Sequence, residues 1–226
     1  MERSMDRSGR RLPDSAHESG PWRIREIVPD FTLEDAWALP VHGGAEEFQT
    51  MLELMAASDP SKADSRAART LWRLRDLLGE WFSLGRISAD DGEQESGQEL
   101  PIPGTGETSL RGRLPADLRD TTAGIDFDSL PFEPLYRTDV EFAAEISNQT
   151  VHGVMHLAWV ERGAGRYQGQ MAVYVKPRGL LGTGYMTMIK PFRYLVVYPA
   201  LMRQIERTWN GRVRPSPPTR SAPGTA

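Results

Sequence analysis

Cysteine is absent from the 226-residue chain. Its absence excludes disulfide frameworks, thiolate zinc sites, iron–sulfur clusters and cysteine nucleophiles. An excess of positive charge is also missing, because 27 Lys and Arg residues face 31 Asp and Glu residues and the formal net charge is −4. This balance argues against a nucleic-acid binder that works through a general basic field.

Long apolar runs are missing as well. The longest extends from Tyr194 to Met202, about half of the ~20 residues that a membrane-spanning helix requires. Residues 1–20 hold four arginines but no apolar stretch of the kind found in a secretory signal. We therefore expect a cytoplasmic protein without a membrane span.

Signatures of nucleotide and ester chemistry do not occur either. The sequence holds neither a Walker loop nor the Gly-x-Ser-x-Gly elbow of serine hydrolases. Residues 179–184 read Gly-x-x-Gly-x-Gly, the reverse of the dinucleotide fingerprint, and no strand follows to complete a strand–helix–strand unit. We interpret this segment as a flexible turn that lets the next helix dock closely, and we expect no cofactor.

The length fits one domain with tails. Residues 1–20 are polar and arginine-rich, and residues 212–226 are rich in Pro, Ser and Gly, so both are expected to be disordered. The domain between them, residues 21–211, contains a stretch at 86–111 that is acidic, glycine-rich and without periodicity. We predict a loop there, either an insertion or a lid over a pocket.

The first half of the domain predicts one strand and two helices. Residues 21–28 alternate apolar and basic side chains before a proline, which is typical of a short strand. Residues 46–57 and 65–82 place apolar side chains three and four positions apart, which predicts amphipathic helices.

The second half predicts an antiparallel meander followed by a helix. Period-two alternation indicates strands at 136–147, 151–160 and 167–176. A long helix follows from Pro191 to Gly211, and Pro199 predicts a kink in it. Because one face of the sheet is apolar, the helix must lie across it. The predicted fold class is α+β, a helix-grip fold in which the antiparallel sheet wraps on the long C-terminal helix.

Two turns set the expected strand register. A two-residue turn at Asn148 and Gln149 places Phe142 opposite Met155, and a three-residue turn at 162–164 places Met155 opposite Met171. On the other face, Glu145 then lies opposite His152 and Glu141 opposite His156.

These Glu–His pairs have two interpretations. A carboxylate-oriented imidazole suits general acid–base catalysis, whereas cross-strand charge pairs are also ordinary on a solvated sheet face. We favour the solvated face. The two histidines are four residues apart, and four residues of strand span about 13 Å, too far for one metal ion. We expect no metal site.

The apolar face is rich in aromatic and thioether groups, which are explained either by core packing or by a ligand cavity with a few polar tips. The candidate ligand-binding residues are Thr138, Phe142, Met155, Trp159, Tyr167, Met171, Tyr185, Met188, Phe192, Tyr198 and Met202.

Three segments carry a family resemblance: residues 151–160, residues 179–182, and residues 185–194. Together they resemble the family catalogued as domain of unknown function 2867, over about Leu130 to Trp209. That family is similar in predicted shape to the helix-grip superfamily of plant allergens, START-type lipid-transfer domains and aromatic polyketide cyclases. The resemblance implies a cavity between sheet and terminal helix and supplies no established catalytic residue.

Two functions are expected from these observations. The first is a cofactor-independent cyclase or isomerase of secondary metabolism, which encloses a bulky apolar, polyketide-type molecule and uses tyrosine hydroxyls to steady developing charge. Its catalytic candidates are Tyr185, Tyr198, His156 and Glu141. The alternative is a non-catalytic carrier or sensor of a hydrophobic small molecule. The expected partner is that ligand, without nucleic acid, and a homodimer is left open.

Overall fold

The computed structural model describes residues 9–56, 108–122, 125, 132–147, 151–179, 194 and 198–212. Its strands are β1 (Arg10–Leu12), β2 (Thr32–Gly43), β3 (Glu133–Arg137), β4 (Glu141–Ser147), β5 (Val151–Glu161) and β6 (Tyr167–Pro177). Its α-helices are α1 (Asp14–Glu18), α2 (Ile24–Ile27), α3 (Phe48–Ala56) and α4 (Tyr198–Gly211). Short 3-10 helices occupy Ala45–Glu47, Leu110–Arg113 and Ala116–Leu118.

In the described residues, six strands form one antiparallel sheet in the order β1-β2-β6-β5-β4-β3. The first long strand, β2, therefore pairs with the last, β6. This arrangement confirms the expected α+β class with an antiparallel sheet and a C-terminal helix. No helix in this part of the chain is long and apolar enough to cross a membrane.

The two faces of the sheet are both covered. On the front face, side chains such as Phe142, Leu157 and Met171 pack with Tyr198 and Met202 of α4 in one buried cluster. The back face, which includes Ala143, Val154 and Ala172, packs against Ile24, Leu110 and other side chains of two covering segments, residues 10–28 and 108–118. Strands β4 and β5 are consequently buried along nearly their whole length.

The N-terminal predictions were wrong in two places. Residues 21–28 do not form a strand but contain α2, whose Ile24 and Ile27 lie three positions apart and are buried on the back face. Residues 10–18, expected in a disordered tail, form β1 and α1. Both segments owe their structure to contacts with the sheet, which local periodicity does not report.

The long strand β2 was not predicted from the sequence. It is buried from Asp35 to Val41, so it shows the continuous apolar run of a strand covered on both faces and no alternation. Pro40 lies inside it, between Ala38 and His42, where the pairing with β6 shifts register. A bulge of this kind accommodates proline, because proline has no N–H to offer to the neighbouring strand.

The single strand predicted at 136–147 is two strands. The chain turns between β3 and β4, and the Thr138 hydroxyl oxygen accepts hydrogen bonds from the N–H groups of Val140 (3.3 Å) and Glu141 (3.0 Å). A side chain that holds its own backbone in this way favours a turn over a continuous strand. Alternation alone did not reveal the break.

Both hairpin registers differ from the prediction by two residues. Ser147 pairs with His152 and Phe142 with Leu157, while the second hairpin sets Leu157 opposite Met171. The predicted turn at residues 148–149 itself lies outside the described residues. Because side chains alternate with a period of two, a shift by two residues leaves the side chains of β4, β5 and β6 on their predicted faces. Tyr136 of β3, predicted on the face of Phe142, lies on the back face instead.

Three predicted elements and one helix end agree with the structure. Strands β5 and β6 and helix α3 are confirmed close to their predicted bounds, and α4 ends at Gly211 as expected. Within the predicted loop at 86–111, residues 110 and 111 belong to a 3-10 helix with a buried Leu110. The rest of that loop through residue 107, the helix at 65–82, the helix start at Pro191 and residues 213–226 lie outside the described residues.

Candidate functional site

The front face brings together many of the predicted ligand-binding residues. Those that share the buried cluster between the sheet and α4 are Phe142, Met155, Trp159, Met171, Tyr198 and Met202, with Tyr167 packed against it. Thr138 is not among them, because it lies in the β3–β4 turn. Tyr185, Met188 and Phe192 lie outside the described residues.

Trp159 lies at the centre of an aromatic group on this face. Its ring centroid is 6.3 Å from those of Phe48 and Tyr167 and 6.2 Å from that of Trp209. The indole N–H donates to the backbone carbonyl of Gly44 at 2.8 Å. Trp159 thus connects β5 with the segment after β2, α3 and the end of α4.

A buried carboxylate on the front face was missed by the sequence analysis. Asp35 of β2 is fully buried and accepts hydrogen bonds from the Tyr198 hydroxyl at 2.9 and 3.1 Å and from the Trp37 indole at 3.2 Å. The rings of Trp37 and Tyr198 are also in contact, with centroids 4.6 Å apart. The feature of the sequence that could have indicated this residue is an aspartate directly before the apolar run 36–41.

Asp35 and Tyr198 form a carboxylate–phenol pair in an otherwise apolar interior. A carboxylate can accept a proton, and a phenolic hydroxyl can donate a hydrogen bond to an oxygen that gains charge. Of the predicted catalytic candidates that the structure describes, Tyr198 lies among the front-face residues, and its carboxylate partner Asp35 lies on β2 of the sheet. Tyr185 lies outside the described residues.

The first Glu–His pair lies on the back face. His156 Nε2 is 2.9 Å from Glu141 Oε2, and both residues are buried. The same carboxylate accepts the backbone N–H of Arg23 at 3.1 Å and the Tyr136 hydroxyl at 3.1 Å. Glu141 therefore joins β4, β5 and β3 to the covering segment 10–28.

The second pair repeats this arrangement. His152 Nε2 is 2.9 Å from Glu145 Oε2. The Glu145 carboxylate also accepts the backbone N–H of Leu110 at 3.1 Å and the Ser109 hydroxyl. Each glutamate thus holds one histidine of β5 and one covering segment.

These contacts correct the favoured interpretation of the polar face. It is not solvated, since Glu141, Glu145, His152 and His156 are all buried beneath the covering segments. The partners are also diagonal neighbours, because Glu141 lies directly opposite Ala158 and not opposite His156. Long side chains reach a diagonal neighbour, so the pairs survive the change of register.

The hydrogen bonds to Glu141 control its charge. Burial raises the pKa of this carboxyl, but the hydrogen bonds from His156, Arg23 and Tyr136 outweigh burial and leave the pKa below its ordinary value. Burial and the nearby Glu141 charge raise the pKa of the Tyr136 phenol. The carboxylate is accordingly ionised, and Tyr136 stays a neutral donor to it.

His17, in α1, also lies under the back face. It is fully buried, and its Nε2 is 3.0 Å from the Tyr174 hydroxyl while its Nδ1 contacts the Gln170 amide. Burial, followed by repulsion from His156 and Arg25, lowers the pKa of His17 to about 3. The imidazole is therefore neutral at physiological pH. His17 was not among the predicted site residues because it lies in the segment expected to be a disordered tail.

Mild acid is expected to destabilise the protein through His17. The folded-state pKa is about 3 against 6.5 for an exposed imidazole, so the unfolded state binds more protons between these values. Stability therefore falls as the pH drops below 6.5, by about 2 kcal/mol at about pH 5. Denaturant unfolding between pH 7 and 5 measures how steeply the free energy of unfolding falls with pH. His17→Gln should make this dependence shallower. An unchanged pH dependence of stability in His17→Gln would show that other groups cause it.

In the part of the chain that the structure describes, no group of three or more His, Asp or Glu side chains is placed to hold a metal ion. Its buried polar groups include the Asp35–Tyr198 pair on the front face and the two Glu–His pairs on the back face. The first lies beside apolar and aromatic side chains, and the others bind the covering segments.

The described residues define an α+β protein with an open antiparallel sheet, covered in front by a C-terminal helix and behind by two segments held by Glu–His pairs. The sequence matches the family described as Protein of unknown function (DUF2867) over residues 27–200. The chain belongs to this family, since the match covers more than half of its 226 residues. No curated protein and no solved structure matches the chain.

Proposed function

We propose that the protein binds a bulky, mostly apolar small molecule between the sheet and α4 and catalyses a cofactor-independent isomerisation or cyclisation of it. The observation that carries the proposal is the buried Asp35–Tyr198 pair, a proton acceptor and a hydrogen-bond donor among aromatic and thioether side chains. Paired groups of this kind in a dry interior serve proton transfer next to a carbonyl group.

The proposed fold is the helix-grip arrangement. Two features support it: β2 pairs with β6, so that the first long strand closes against the last, and α4 packs on the front of that sheet through Tyr198 and Met202. In such an arrangement the ligand occupies the interior between sheet and helix. The front-face residues Met155, Met171 and Met202 have flexible side chains that adapt to an irregular apolar shape.

In the proposed reaction Asp35 accepts a proton from a carbon next to a substrate carbonyl. Once Asp35 is protonated, the Tyr198 hydroxyl turns its hydrogen from Asp35 to the oxygen of the resulting enolate, which lowers the cost of the enolate charge. For an isomerisation, Asp35 returns the proton to a different carbon. For a cyclisation, the enolate carbon attacks a second carbonyl and Asp35 returns the proton to the new alkoxide. Neither route changes the mass of the substrate.

Binding is tested by adding an apolar fluorescent probe and measuring energy transfer from the tryptophan side chains to the probe. We expect a saturable signal that Trp159→Phe reduces by more than half, because Trp159 is the indole at the centre of the front-face aromatic group. Trp22→Phe is the matched control, since Trp22 lies on the back face. A signal that survives Trp159→Phe and disappears in Trp22→Phe would contradict front-face binding.

Catalysis is tested by incubating the protein with polyketide-like 1,3-dicarbonyl compounds and searching for mass-neutral products. Asp35→Asn keeps the shape of the side chain but removes the proton acceptor, so conversion should fall by about 100-fold or more. Probe binding should persist in the variant. Conversion that is unaffected by Asp35→Asn would exclude the proposed mechanism. Binding without conversion by the wild-type chain would instead assign a carrier or sensor of the same ligand.

A further inference from the structure

Residues 10–21, here called the arm, are held by pairing with β2, by the His17 ring and by hydrogen bonds from Trp22 and Arg25 to three backbone carbonyls of the arm. Only Leu12 and His17 have buried side chains in this segment. Its backbone pairs with β2 over three residues, Arg10 to Leu12, and its helix α1 has five residues. Segments with so few buried groups open at a low free-energy cost.

The His17 ring is the part of the arm that enters the back face. Gln170 donates its amide hydrogen to Nδ1 of the ring, which places the ring proton on Nε2, 3.0 Å from the Tyr174 hydroxyl. The His156 ring lies edge-on to it, with centroids 5.2 Å apart. The sheet residues Gln170, Tyr174 and His156 therefore lie around one imidazole, and the Trp22 ring stacks on it with centroids 5.9 Å apart.

One polar atom at this place is left unsatisfied. His156 binds Glu141 through Nε2, but its Nδ1 is buried without a hydrogen-bond partner among the described residues. A buried nitrogen in that state is uncommon in folded proteins and calls for an explanation. The His17 ring satisfies Gln170 and Tyr174 but does not complete the hydrogen bonding of His156.

The arm and the sheet residues around His17 differ in whether the family match covers them. Residues 27–200 include Gln170, Tyr174, His156 and Glu141 but not the arm. The polar cluster thus lies in the family region of the chain, whereas the ring that fills it comes from outside that region.

We propose that Gln170, Tyr174 and His156 form a second binding site, for a neutral planar nitrogen heterocycle of imidazole size, and that the arm regulates this site by filling it with His17. The heterocycle meets the same donor and acceptor that His17 meets, so ligand and arm exclude one another. The site lies on the back of the sheet, opposite Asp35 and Tyr198, and is independent of the front-face reaction proposed above.

The site is probed with 4-methylimidazole, which reproduces the histidine ring, at about pH 9, where the free probe is neutral. In the full chain carrying His17→Ala, we expect saturable binding that raises the melting temperature. The matched probe 3-methylthiophene has a similar planar shape without an N–H group, and it should bind about tenfold more weakly for each hydrogen bond that it lacks. Gln170→Leu in the same background should remove most of this preference.

Exclusion between ligand and arm is tested in Leu12→Ala, which weakens the arm but keeps His17. Addition of 4-methylimidazole should accelerate amide hydrogen exchange in residues 10–21 and leave exchange in α4 unchanged. Because this variant retains the whole site, the test does not depend on whether His17→Ala folds.

Two results would overturn the proposal. Equal affinity of His17→Ala for the two probes would show a cavity without recognition of nitrogen. Arm exchange that stays constant in Leu12→Ala, at probe concentrations 100-fold above the Kd measured for His17→Ala (about 2.7 kcal/mol of linkage), would show that the arm does not compete with the ligand. Either result leaves the front-face proposal intact, because Asp35→Asn tests that one separately.

Discussion

Replacing Glu141 by alanine is expected to lower the free energy of unfolding by about 3–5 kcal/mol, the range for removing one partner of a buried pair. The substitution leaves two buried donors, the His156 ring and the Tyr136 hydroxyl, and one partly buried donor, the Arg23 backbone N–H, without their acceptor. Unsatisfied buried donors cost more than the net gain of the hydrogen bonds that they had formed. Denaturant unfolding followed by circular dichroism measures the difference.

Glu133→Ala is the matched control, since Glu133 lies on the edge strand β3 with about half of its side chain exposed, 3.8 Å from Arg111. Its loss should change stability by less than about 0.5 kcal/mol. Glu141→Gln, which retains one acceptor oxygen, should lose an amount of stability between those of Glu141→Ala and Glu133→Ala. Equal effects of Glu141→Ala and Glu133→Ala would show that the buried carboxylate does not hold the covering segment.

Trp159→Ala is also expected to lower the free energy of unfolding by about 3–5 kcal/mol. The indole is buried, contacts Phe48, Tyr167 and Trp209, and donates to the Gly44 carbonyl. Alanine would leave a large cavity in a region where β5, α3 and α4 meet, and these elements cannot all collapse into it. Thermal and denaturant unfolding should both report the loss.

The graded variant Trp159→Phe keeps an aromatic ring and should lose about 1–2 kcal/mol, from the smaller ring and the missing hydrogen bond. Val140→Ala serves as the control, because Val140 is an exposed apolar residue in the β3–β4 turn. Its effect should be within about 0.5 kcal/mol. A Trp159→Ala protein as stable as Val140→Ala would mean that the aromatic group does not support the fold.

The C-terminal strands were predictable because their patterning is local. Strands β5 and β6 carry apolar side chains at every second position, and the helix α4 carries Tyr198, Met202, Ile205 and Trp209 on one face. Which residues share a face depends only on these periods, so Phe142, Met155 and Trp159 were placed together correctly even though the register was wrong by two residues.

The candidate site was predictable only in part. Trp159 and Tyr198 follow from patterning, whereas Asp35 and His17 do not, since each has its polar partners far away in the sequence. Asp35 is separated from Tyr198 by 163 positions and His17 from Tyr174 by 157. Long-range contacts of this kind leave no periodic trace in the sequence.

Local patterning is sufficient to predict an antiparallel sheet, the faces of β4, β5 and β6 and the apolar, aromatic character of the front-face interior. The burial of the Glu–His face, its cover by residues 10–28 and the hydrogen bond between Asp35 and Tyr198 depend on contacts between distant parts of the chain. The physical reason is that alternation records which side a residue faces, but not what lies on that side. A polar face against water and a polar face closed by backbone N–H groups have the same pattern, and only the position of the covering segments distinguishes them.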